Sequence, residues 1–291
     1  MTRLPGSVAD RVSAWYAGAG RDLPWRRPGV TPWGVLVSEV MLQQTPVSRV
    51  LPAYVDWMRR WPRPGELAAE STGAAVRQWG RLGYPRRALA LHAAATAIGE
   101  RHAGSVPREL QALLALPGVG GYTARAVAVF AYGDRHPVVD TNVRRVVTRH
   151  RLGLGLPASA ATTAADLELV AGLLPADPKG AATTSVALME LGALVCTARL
   201  PRCAQCPLAG DCAWRLAGAP TAPAKRGQTY AGTDRQARGR LLAVLRDAHR
   251  PVSTAELASA WPTQPQRDRA LAGLLADGLA TETNDGGYAL P

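Results

Sequence analysis

The sequence predicts a mainly α fold with a small winged-helix-like module at the C-terminal end. Periodic apolar positions indicate helices along most of the chain. Residues 116–124 (LPGVGGYTA) place a proline and glycines between two helical patterns, which is typical of a helix-hairpin-helix turn. All four cysteines follow within one window, residues 196–212. Together these observations predict helices joined by short turns, with one loop region held by thiol chemistry.

The chain carries a large excess of positive charge. It has 291 residues, with 34 Lys and Arg against 22 Asp and Glu, and a net charge of +12. Such a balance indicates a polyanionic partner. Residues 233–291 contain seven Arg and seven acidic residues, so the excess lies upstream of them. No apolar run reaches membrane length and the first 18 residues lack a signal-peptide stretch, so we expect a cytoplasmic chain with reduced cysteines and no membrane partner.

A helix is predicted to begin near Asp10, and a basic loop over residues 21–28 (RDLPWRRP) follows it. Trp25 offers a flat face and Arg21 and Arg26 offer charge, which suits the rim of a nucleic-acid pocket. A packed surface loop is the alternative interpretation.

The next predicted helix, residues 32–42, is apolar on nearly all sides and carries one charge, Glu39. Burial raises the pKa of a carboxyl group, so Glu39 could hold a proton at neutral pH and act as a general acid. The alternative is a glutamate paired with an arginine or with the helix end. Gln43 and Gln44, at the end of the helix, carry amides that can bond base edges or simply face solvent.

Helical segments at residues 47–61 and 64–80 lead to a turn at Tyr84, between a glycine and a proline. Tyr84 is either a capping aromatic or a wedge that stacks in a duplex. A further helix reaches residue 102. In the hairpin after it, Gly118 and Gly120 permit positive φ, and their bare N–H groups can bind a phosphate at a helix N-terminus.

Asp140 precedes another helical pattern at the N-cap position. Cap donors and the helix dipole are expected to keep its carboxyl group deprotonated, ready to stabilise a developing positive charge. The cap role and the chemical role are compatible. Arginines at positions 144, 145, 149 and 151 suit phosphates or a solvated face.

The four cysteines, Cys196, Cys203, Cys206 and Cys212, have the spacing C-x6-C-x2-C-x5-C and leave no thiol over. A metal site of four thiolates is predicted, because disulfides are disfavoured in a cytoplasmic chain. Zinc sites usually use two CxxC pairs, whereas a [4Fe–4S] cluster tolerates uneven spacing. Arg199 and Arg202 lie in the loop between the first two cysteines, where they could bind phosphates.

These motifs in combination resemble the helix-hairpin-helix–GPD superfamily of DNA glycosylases, and within it the MutY-type adenine DNA glycosylases. The resemblance covers about residues 15–214. It is carried by LPGVG over 116–120, by VDTNVRR over 139–145, by the cysteine spacing and by SEVMLQQT over 38–45. It implies a [4Fe–4S] cluster, a nucleoid-associated monomer, and double-stranded DNA with adenine opposite 8-oxoguanine or guanine as the partner.

The resemblance also implies roles for individual residues. Glu39 matches the glutamate that protonates adenine at N7, and Asp140, with Asn142 beside it, matches the aspartate that stabilises an oxocarbenium-like sugar. By the same resemblance, Gln44 and Tyr84 match side chains inserted around the partner base, and Gln43 and Thr45 beside Gln44 are expected to bind DNA. Arg21, Trp25 and Arg26 match the adenine pocket, and Gly118 and Gly120 match the phosphate-binding hairpin.

Tyr122 stands where endonuclease III-like members carry a Schiff-base lysine, so a monofunctional glycosylase is expected. A T:G thymine glycosylase is the nearest enzymatic alternative, and a non-enzymatic, redox-sensing DNA-binding regulator is another. Val186 departs from the family, because a polar residue that reads the adenine edge is expected there.

We predict a glycosylase core over residues 1–217, a linker over 218–232 and the winged-helix-like module over 233–291. The core would divide into a six-helix barrel, about 29–137, and an iron–sulfur domain made of the N-terminal helix and about 138–217. The tail shows three helical patterns and a hairpin turning at residues 284–287, and it stands where long MutY proteins carry a Nudix-like domain. Its neutral charge favours packing on the core or binding a protein.

Overall fold

A computed structural model describes residues 6–220 and 230–291, and it confirms a mainly α fold. The α-helices of the described residues are Val8–Ala19 (α1), Pro32–Leu42 (α2), Val47–Arg60 (α3), Pro64–Ala68 (α4), Thr72–Trp79 (α5), Arg86–Arg101 (α6), Leu110–Leu114 (α7), Gly121–Tyr132 (α8), Thr141–Leu152 (α9), Ala164–Ala171 (α10), Pro178–Leu194 (α11), Ala213–Leu216 (α12), Asp234–Asp247 (α13), Thr254–Ala260 (α14) and Gln264–Ala276 (α15). The strands are Thr281–Glu282 (β1) and Tyr288–Ala289 (β2). No described helix has the length and apolarity to cross a membrane.

Helix starts follow local capping chemistry. Helix α1 begins earlier than predicted, because Ser7 and Asp10 form a capping box ahead of Val8. The segment predicted as one helix over residues 64–80 is two helices, α4 and α5. Ser71 separates them, since its side chain accepts the N–H of Ala74 and starts a new helix.

The described residues cluster into two units. The described parts of Met1–Val35, Arg108–Leu114 and Val119–Ala224 form the first unit. Its main core joins α1, α9 and α11 through buried side chains that include Val12, Val143 and Leu188. Cys196 and Cys206 pack against this core, so the cysteine loop is anchored on it.

The second unit comprises Leu36–Pro107, Ala115–Gly118 and the described part of Lys225–Pro291. Three buried tryptophans form its aromatic centre. The ring of Trp57 meets that of Trp61 edge-on at 4.6 Å and that of Trp79 edge-on at 5.7 Å. Such edge-to-face contacts add to the stabilisation from burial.

The tail has the predicted composition of three helices and a hairpin. Strands β1 and β2 pair antiparallel, and Val252 bridges to Tyr288 beside them. Within the second unit the tail packs on α5: the Gly73 N–H donates to the Pro291 carbonyl at 2.6 Å, and Arg246 Nε donates to the Val76 carbonyl at 3.1 Å. The predicted tail therefore packs on a core helix. The proposed limits of core, linker and module stay a prediction, and residues 221–229 of the linker lie outside the described residues.

Candidate functional site

Glu39 lies in the second half of α2 and is 5% exposed. Residues on both sides of it along the helix, Ser38 and Val40, are buried as well. The prediction that this helix is enclosed on nearly all sides is confirmed. Glu39 is thus a carboxyl group buried in the protein interior, as the sequence predicted for the candidate general acid.

Asp140 caps α9. Its Oδ1 accepts the N–H of Val143 at 2.7 Å, and its Oδ2 accepts the Asn142 side-chain amide at 2.8 Å. Burial raises the pKa of the Asp140 carboxyl above its usual value, although these hydrogen bonds and the charge of Arg145 act to lower it. The predicted N-cap is confirmed. Desolvation outweighs the cap donors in the direction of the pKa shift, and the ionised state of Asp140 stays a prediction.

Arg145 fixes the amide of Asn142. Its Nη2 donates to Asn142 Oδ1 at 2.8 Å and to the Gly192 carbonyl at 2.6 Å, while its Nε donates to the Cys196 carbonyl at 2.6 Å. Since Asn142 Oδ1 accepts from Arg145, its Nδ2 faces Asp140 as the donor. A chain of contacts therefore leads from the end of α11 through Arg145 and Asn142 to the Asp140 carboxylate.

The basic loop over residues 21–28 is tied to α11 by a glutamate that sequence reasoning missed. Glu190 is fully buried, and it accepts from Arg21 Nη2 at 2.9 Å, from Arg21 Nε at 2.5 Å and from Arg26 Nη1 at 2.8 Å. Burial acts to raise the pKa of Glu190, yet the two arginines bring it below its usual value. Trp25, which lies between Arg21 and Arg26 in the sequence, is buried. The sequence did carry a signal for Glu190, because it is the one charged residue in the apolar second half of α11.

The turn after α2 divides its predicted DNA-binding residues. Gln44 is exposed and has a φ of 54°, whereas Thr45 is buried and its hydroxyl accepts from Arg87 Nη2 at 3.0 Å. Gln43 is half-buried. Tyr84, at the turn before α6, is 54% exposed with a φ of 47°. Gln44 and Tyr84 therefore expose their side chains to solvent at the two turns, whereas the Thr45 side chain is buried and hydrogen-bonded to Arg87.

The two hairpin glycines differ. Gly118 has a φ of +73°, and a Cβ there would lie 2.6 Å from the Cβ of Ala90, so both conformation and space require glycine. Gly120 is the N-cap of α8 with a φ of −90°, and a Cβ there would meet no atom within 4 Å. The positive φ that glycine permits is thus adopted at Gly118 and not at Gly120. Tyr122, in the first turn of α8, is half-buried and packs against the cluster of Ala126 and Val129.

The four cysteines line one pocket, together with Arg149 and Trp214. All four thiols are free of disulfides. Burial raises the pKa of Cys206 to about 11, and the three neighbouring thiols add to that rise. Among residues 6–220 and 230–291, no group of three or more His, Cys, Asp or Glu side chains has the arrangement of a site for a metal ion.

Arg149 reaches into the same pocket and is 4% exposed. Its Nη1 donates to the Thr197 carbonyl at 2.7 Å and lies 3.4 Å from Cys196 Sγ, while the guanidinium stacks 4.5 Å from the Trp214 ring. The interpretation of Arg149 as a solvated or phosphate-binding residue is therefore wrong. Its side chain is buried and hydrogen-bonds to backbone carbonyls of the cysteine loop. Arg199 and Arg202, in the same loop, are exposed and accessible to a partner.

Comparison with known proteins gives consistent matches. Residues 37–171 match the HhH-GPD superfamily of base excision DNA repair proteins. An adenine DNA glycosylase of Mycobacterium tuberculosis is 57% identical over 291 residues, which cover 99% of this chain and 95% of that protein. One of Mycolicibacterium smegmatis is 57% identical over 279 residues, covering 95% and 94%. The solved structure of a thermostable thymine-DNA glycosylase superposes with a TM-score of 0.66 at 26% identity, covering 72% of this chain and 95% of that one.

Proposed function

Because the chain belongs to the MutY-type adenine DNA glycosylases of the HhH-GPD superfamily, we propose that it removes adenine mispaired with 8-oxoguanine or guanine from double-stranded DNA. The observation that carries the proposal is the burial of Glu39 in an apolar helix, together with a second carboxylate, Asp140, held by an amide and a helix cap. We infer that Glu39 serves as the proton donor and Asp140 as the stabilising carboxylate, the division of roles that cleavage of a glycosidic bond needs.

In the proposed reaction the mispaired adenine first leaves the base stack, at a cost of a few kcal/mol that is lowest for a mispair. Glu39 donates a proton to N7 of the base, and the bond between the base and C1′ of the sugar breaks. Asp140, oriented by Asn142, stabilises the positive charge that develops on the sugar. Water then adds at C1′ and releases a proton, so the products are free adenine and an abasic site.

Tyr122 supports a monofunctional enzyme. A Schiff base with the sugar requires an amine, and a phenol cannot form one. We therefore infer that strand cleavage does not accompany base release. Arg21, Trp25 and Arg26 form the inferred adenine pocket, and Val186, half-buried on α11, offers it no polar group.

DNA binding is assigned to exposed parts of the chain. The Gly118–Gly120 hairpin offers backbone N–H groups to a phosphate, and Gln44 and Tyr84 would enter the duplex around the partner base. Arg199 and Arg202 would add phosphate contacts from the cysteine loop. The protein would act as a monomer in the cytoplasm, bound to the nucleoid.

We also propose that Cys196, Cys203, Cys206 and Cys212 bind a [4Fe–4S] cluster. The chemistry of the donors supports this: four thiols free of disulfides line one pocket, and the Arg149 guanidinium lies beside Cys196 Sγ, where it would balance the negative charge of thiolates. When bound, the cluster would cross-link the loop that carries Arg199 and Arg202. Iron and sulfide analysis tests this: about four irons per chain are expected from the cluster type, and Cys203→Ser should lose them. One zinc per chain would contradict it.

The proposed reaction is tested by single-turnover base release from duplexes with A opposite 8-oxoguanine, A opposite G and T opposite G. Adenine release by the wild-type protein and its loss in Glu39→Gln, with duplex binding retained, would support the assignment. Thymine release would instead favour the second candidate, a T:G glycosylase. The structural similarity to a thymine-DNA glycosylase supports testing this candidate.

A further inference from the structure

The Arg87 guanidinium lies between two turns of the second unit, the α2–α3 turn (residues 43–45) and the α5–α6 turn (residues 80–85). From the second residue of α6, its Nη1 donates to the Gln43 carbonyl at 2.6 Å, and its Nη2 donates to Thr45 Oγ1 and to the Gly83 carbonyl, both at 3.0 Å. One side chain thus bonds to both turns, which carry the side chains proposed to enter DNA.

Both turns contain a strained residue. Four non-glycine residues of the described chain have a positive φ, and Gln44 and Tyr84 are two of them. Left-handed backbone at such residues persists only where the surroundings hold it. Arg87 bonds to Gln43 and Thr45, the two neighbours of Gln44, and to Gly83, which precedes Tyr84. Its guanidinium also lies 5.3 Å from the Tyr84 ring.

The same side chain caps the helix that carries the proposed acid. Nη1 of Arg87 donates to the carbonyls of Val40 at 2.8 Å and of Met41 at 3.1 Å, at the C-terminal end of α2. A cation there is favourable, because the helix dipole is negative at that end. Burial lowers the pKa of Arg87 to about 10, so the group is still charged at neutral pH. Glu39 directly precedes Val40.

One further contact connects the two turns, and a second ties the α5–α6 turn to the end of α5. Thr45 Oγ1 lies 3.3 Å from the Leu82 carbonyl, and Trp79 Nε1 donates to the Gly83 carbonyl at 2.9 Å. The Arg87 guanidinium lies 5.2 Å from the Trp79 ring. A planar guanidinium with several donors can serve such a dispersed set of acceptors, whereas an ammonium group cannot reach them all.

We propose that Arg87 is a positioning residue that couples the α2–α3 turn, the α5–α6 turn and the end of α2, so that Gln44, Tyr84 and Glu39 reach the mispair as one preorganised set. The inference rests on the proposed function, which supplies the DNA substrate. Arg87 acts through these neighbours and is given no contact with the reacting atoms.

The test compares Arg87→Met, which removes the guanidinium, and Arg87→Lys, which keeps the charge and most of the stem. Arg86→Met is the matched control: it removes a charge one residue earlier, from a side chain that is 72% exposed. Circular dichroism and thermal unfolding establish which variants fold. Should Arg87→Met not fold, Arg87→Lys carries the test, because it lacks the fork geometry but not the charge.

Two readouts separate positioning from general stability. In Arg87→Met the single-turnover rate of adenine release should fall on the order of 100-fold, as misplacement of catalytic groups does. The affinity of Arg87→Met for a fully paired duplex should stay within about 2-fold of the wild-type value, as for a surface substitution. The ratio of its affinities for the mispaired and the fully paired duplex should fall about 10-fold. Arg87→Lys should lie between Arg87→Met and the wild type, and Arg86→Met should stay within about 2-fold of the wild type in both measurements.

A double-mutant cycle with Tyr84→Ala completes the test. If Arg87 acts through the α5–α6 turn, the loss of mispair preference in the double variant will be smaller than the product of the two single losses. Multiplicative losses, or wild-type rate and preference in folded Arg87→Lys and Arg87→Met, would overturn the proposal. No adenine release by the wild-type chain would instead overturn the proposed function, since that result does not depend on Arg87.

Discussion

At the scale of single residues, the Asp140 carboxyl group shows a conflict between stability and function. Burial raises its pKa, so ionisation of this group disfavours the folded state. Below the usual aspartate pKa the group is protonated in both the folded and unfolded states and this cost is absent. As the pH rises through the raised value, the ionised carboxylate destabilises the folded protein. The proposed reaction nevertheless needs the ionised form.

We therefore expect Asp140→Asn to abolish adenine release and to gain stability relative to the wild type as the pH rises from 4 to 8. Asparagine keeps an oxygen to cap the Val143 N–H without the buried charge, but its own amide would face the donating amide of Asn142, which costs the same at every pH. The unfolding temperature of the variant minus that of the wild type should therefore fall as the pH is lowered towards 4, close to the ordinary aspartate pKa. Thermal unfolding from pH 4 to pH 8 measures it.

Asp177→Asn is the matched control, because Asp177 caps α11 with its Oδ1 2.6 Å from the Gly180 nitrogen but is exposed. It should show no such pH-dependent gain. A difference between Asp140→Asn and the wild type that grows at low pH would contradict the account.

Glu190 holds two arginines of the inferred adenine pocket with a fully buried carboxylate. Glu190→Gln would leave Arg21 and Arg26 without their counter-charge. We expect it to lower the free energy of unfolding by about 3 kcal/mol, as the loss of one partner of a buried pair does. Adenine release should fall as well, because the loop over residues 21–28 loses its anchor.

Urea unfolding and single-turnover assays check this prediction. Glu168→Gln, an exposed change on α10 of the same unit, serves as the control and should stay within about 0.5 kcal/mol of the wild type. Equal unfolding free energies for Glu190→Gln and Glu168→Gln would show that the buried pair contributes no net stability.

At the scale of elements, the contact between α9 and α11 sets the geometry of the Asp140 cap. Gly192 lies at this contact, where an added Cβ would come within 2.7 Å of the Cβ and the carbonyl oxygen of Asn142. Neither atom can move without the first turn of α9. The close approach also lets Arg145 reach the Gly192 carbonyl and Asn142 together.

Gly192→Ala should therefore destabilise the protein by about 1–3 kcal/mol through overpacking, although alanine normally favours a helix. Adenine release should fall about 10-fold or more, because Asn142 and Asp140 shift together. Gly99→Ala on α6 is the control, since a Cβ there meets nothing within 4 Å. Unfolding and single-turnover assays on both variants measure the losses of stability and activity. A Gly192→Ala protein as stable and active as Gly99→Ala would contradict the predicted overpacking.

Helix positions at this scale were largely predictable from the sequence. Pro32 starts α2, Pro46 directly precedes α3, and a cap aspartate starts α9 where expected. The break between α4 and α5 was missed because the apolar pattern continues across Ser71, while the cap that divides it is a local hydrogen bond. The partners of the elements, such as α9 on α11, depend on long-range packing.

At the scale of the whole molecule, the tail joins the second unit through backbone contacts on α5. The N–H of Gly73 donates to the Pro291 carbonyl, and a Cβ at Gly73 would lie 2.2 Å from that oxygen. Arg77 and Arg246 each donate to a backbone carbonyl on the other side, to Arg246 and Val76 respectively. The ion pair of Arg86 with Asp277, at 3.4 Å, adds a charged contact between α6 and the tail.

Gly73→Ala should release this end of the tail, with a loss of about 1 kcal/mol of unfolding free energy for the broken hydrogen bond. Limited proteolysis should cut within residues 277–291 faster than in the wild type, while the rate of adenine release changes little. Gly65→Ala occupies the same position of its helix, the second residue of α4, with open space around a Cβ. Unchanged cleavage in Gly73→Ala relative to Gly65→Ala would rule out this contact as the anchor.

Features that depend on neighbouring residues were predictable from the sequence: the helical character, the α2 helix around Glu39, the cap at Asp140 and the cysteine spacing. Which distant groups meet became clear from the packing of the folded chain. Glu190 pairs with Arg21 and Arg26, which lie 169 and 164 residues away in the chain, and Arg87 bonds to Gln43, 44 residues earlier. The physical reason is that caps and amphipathic periods act over one or two helical turns, whereas burial and long-range pairing depend on how the whole chain packs.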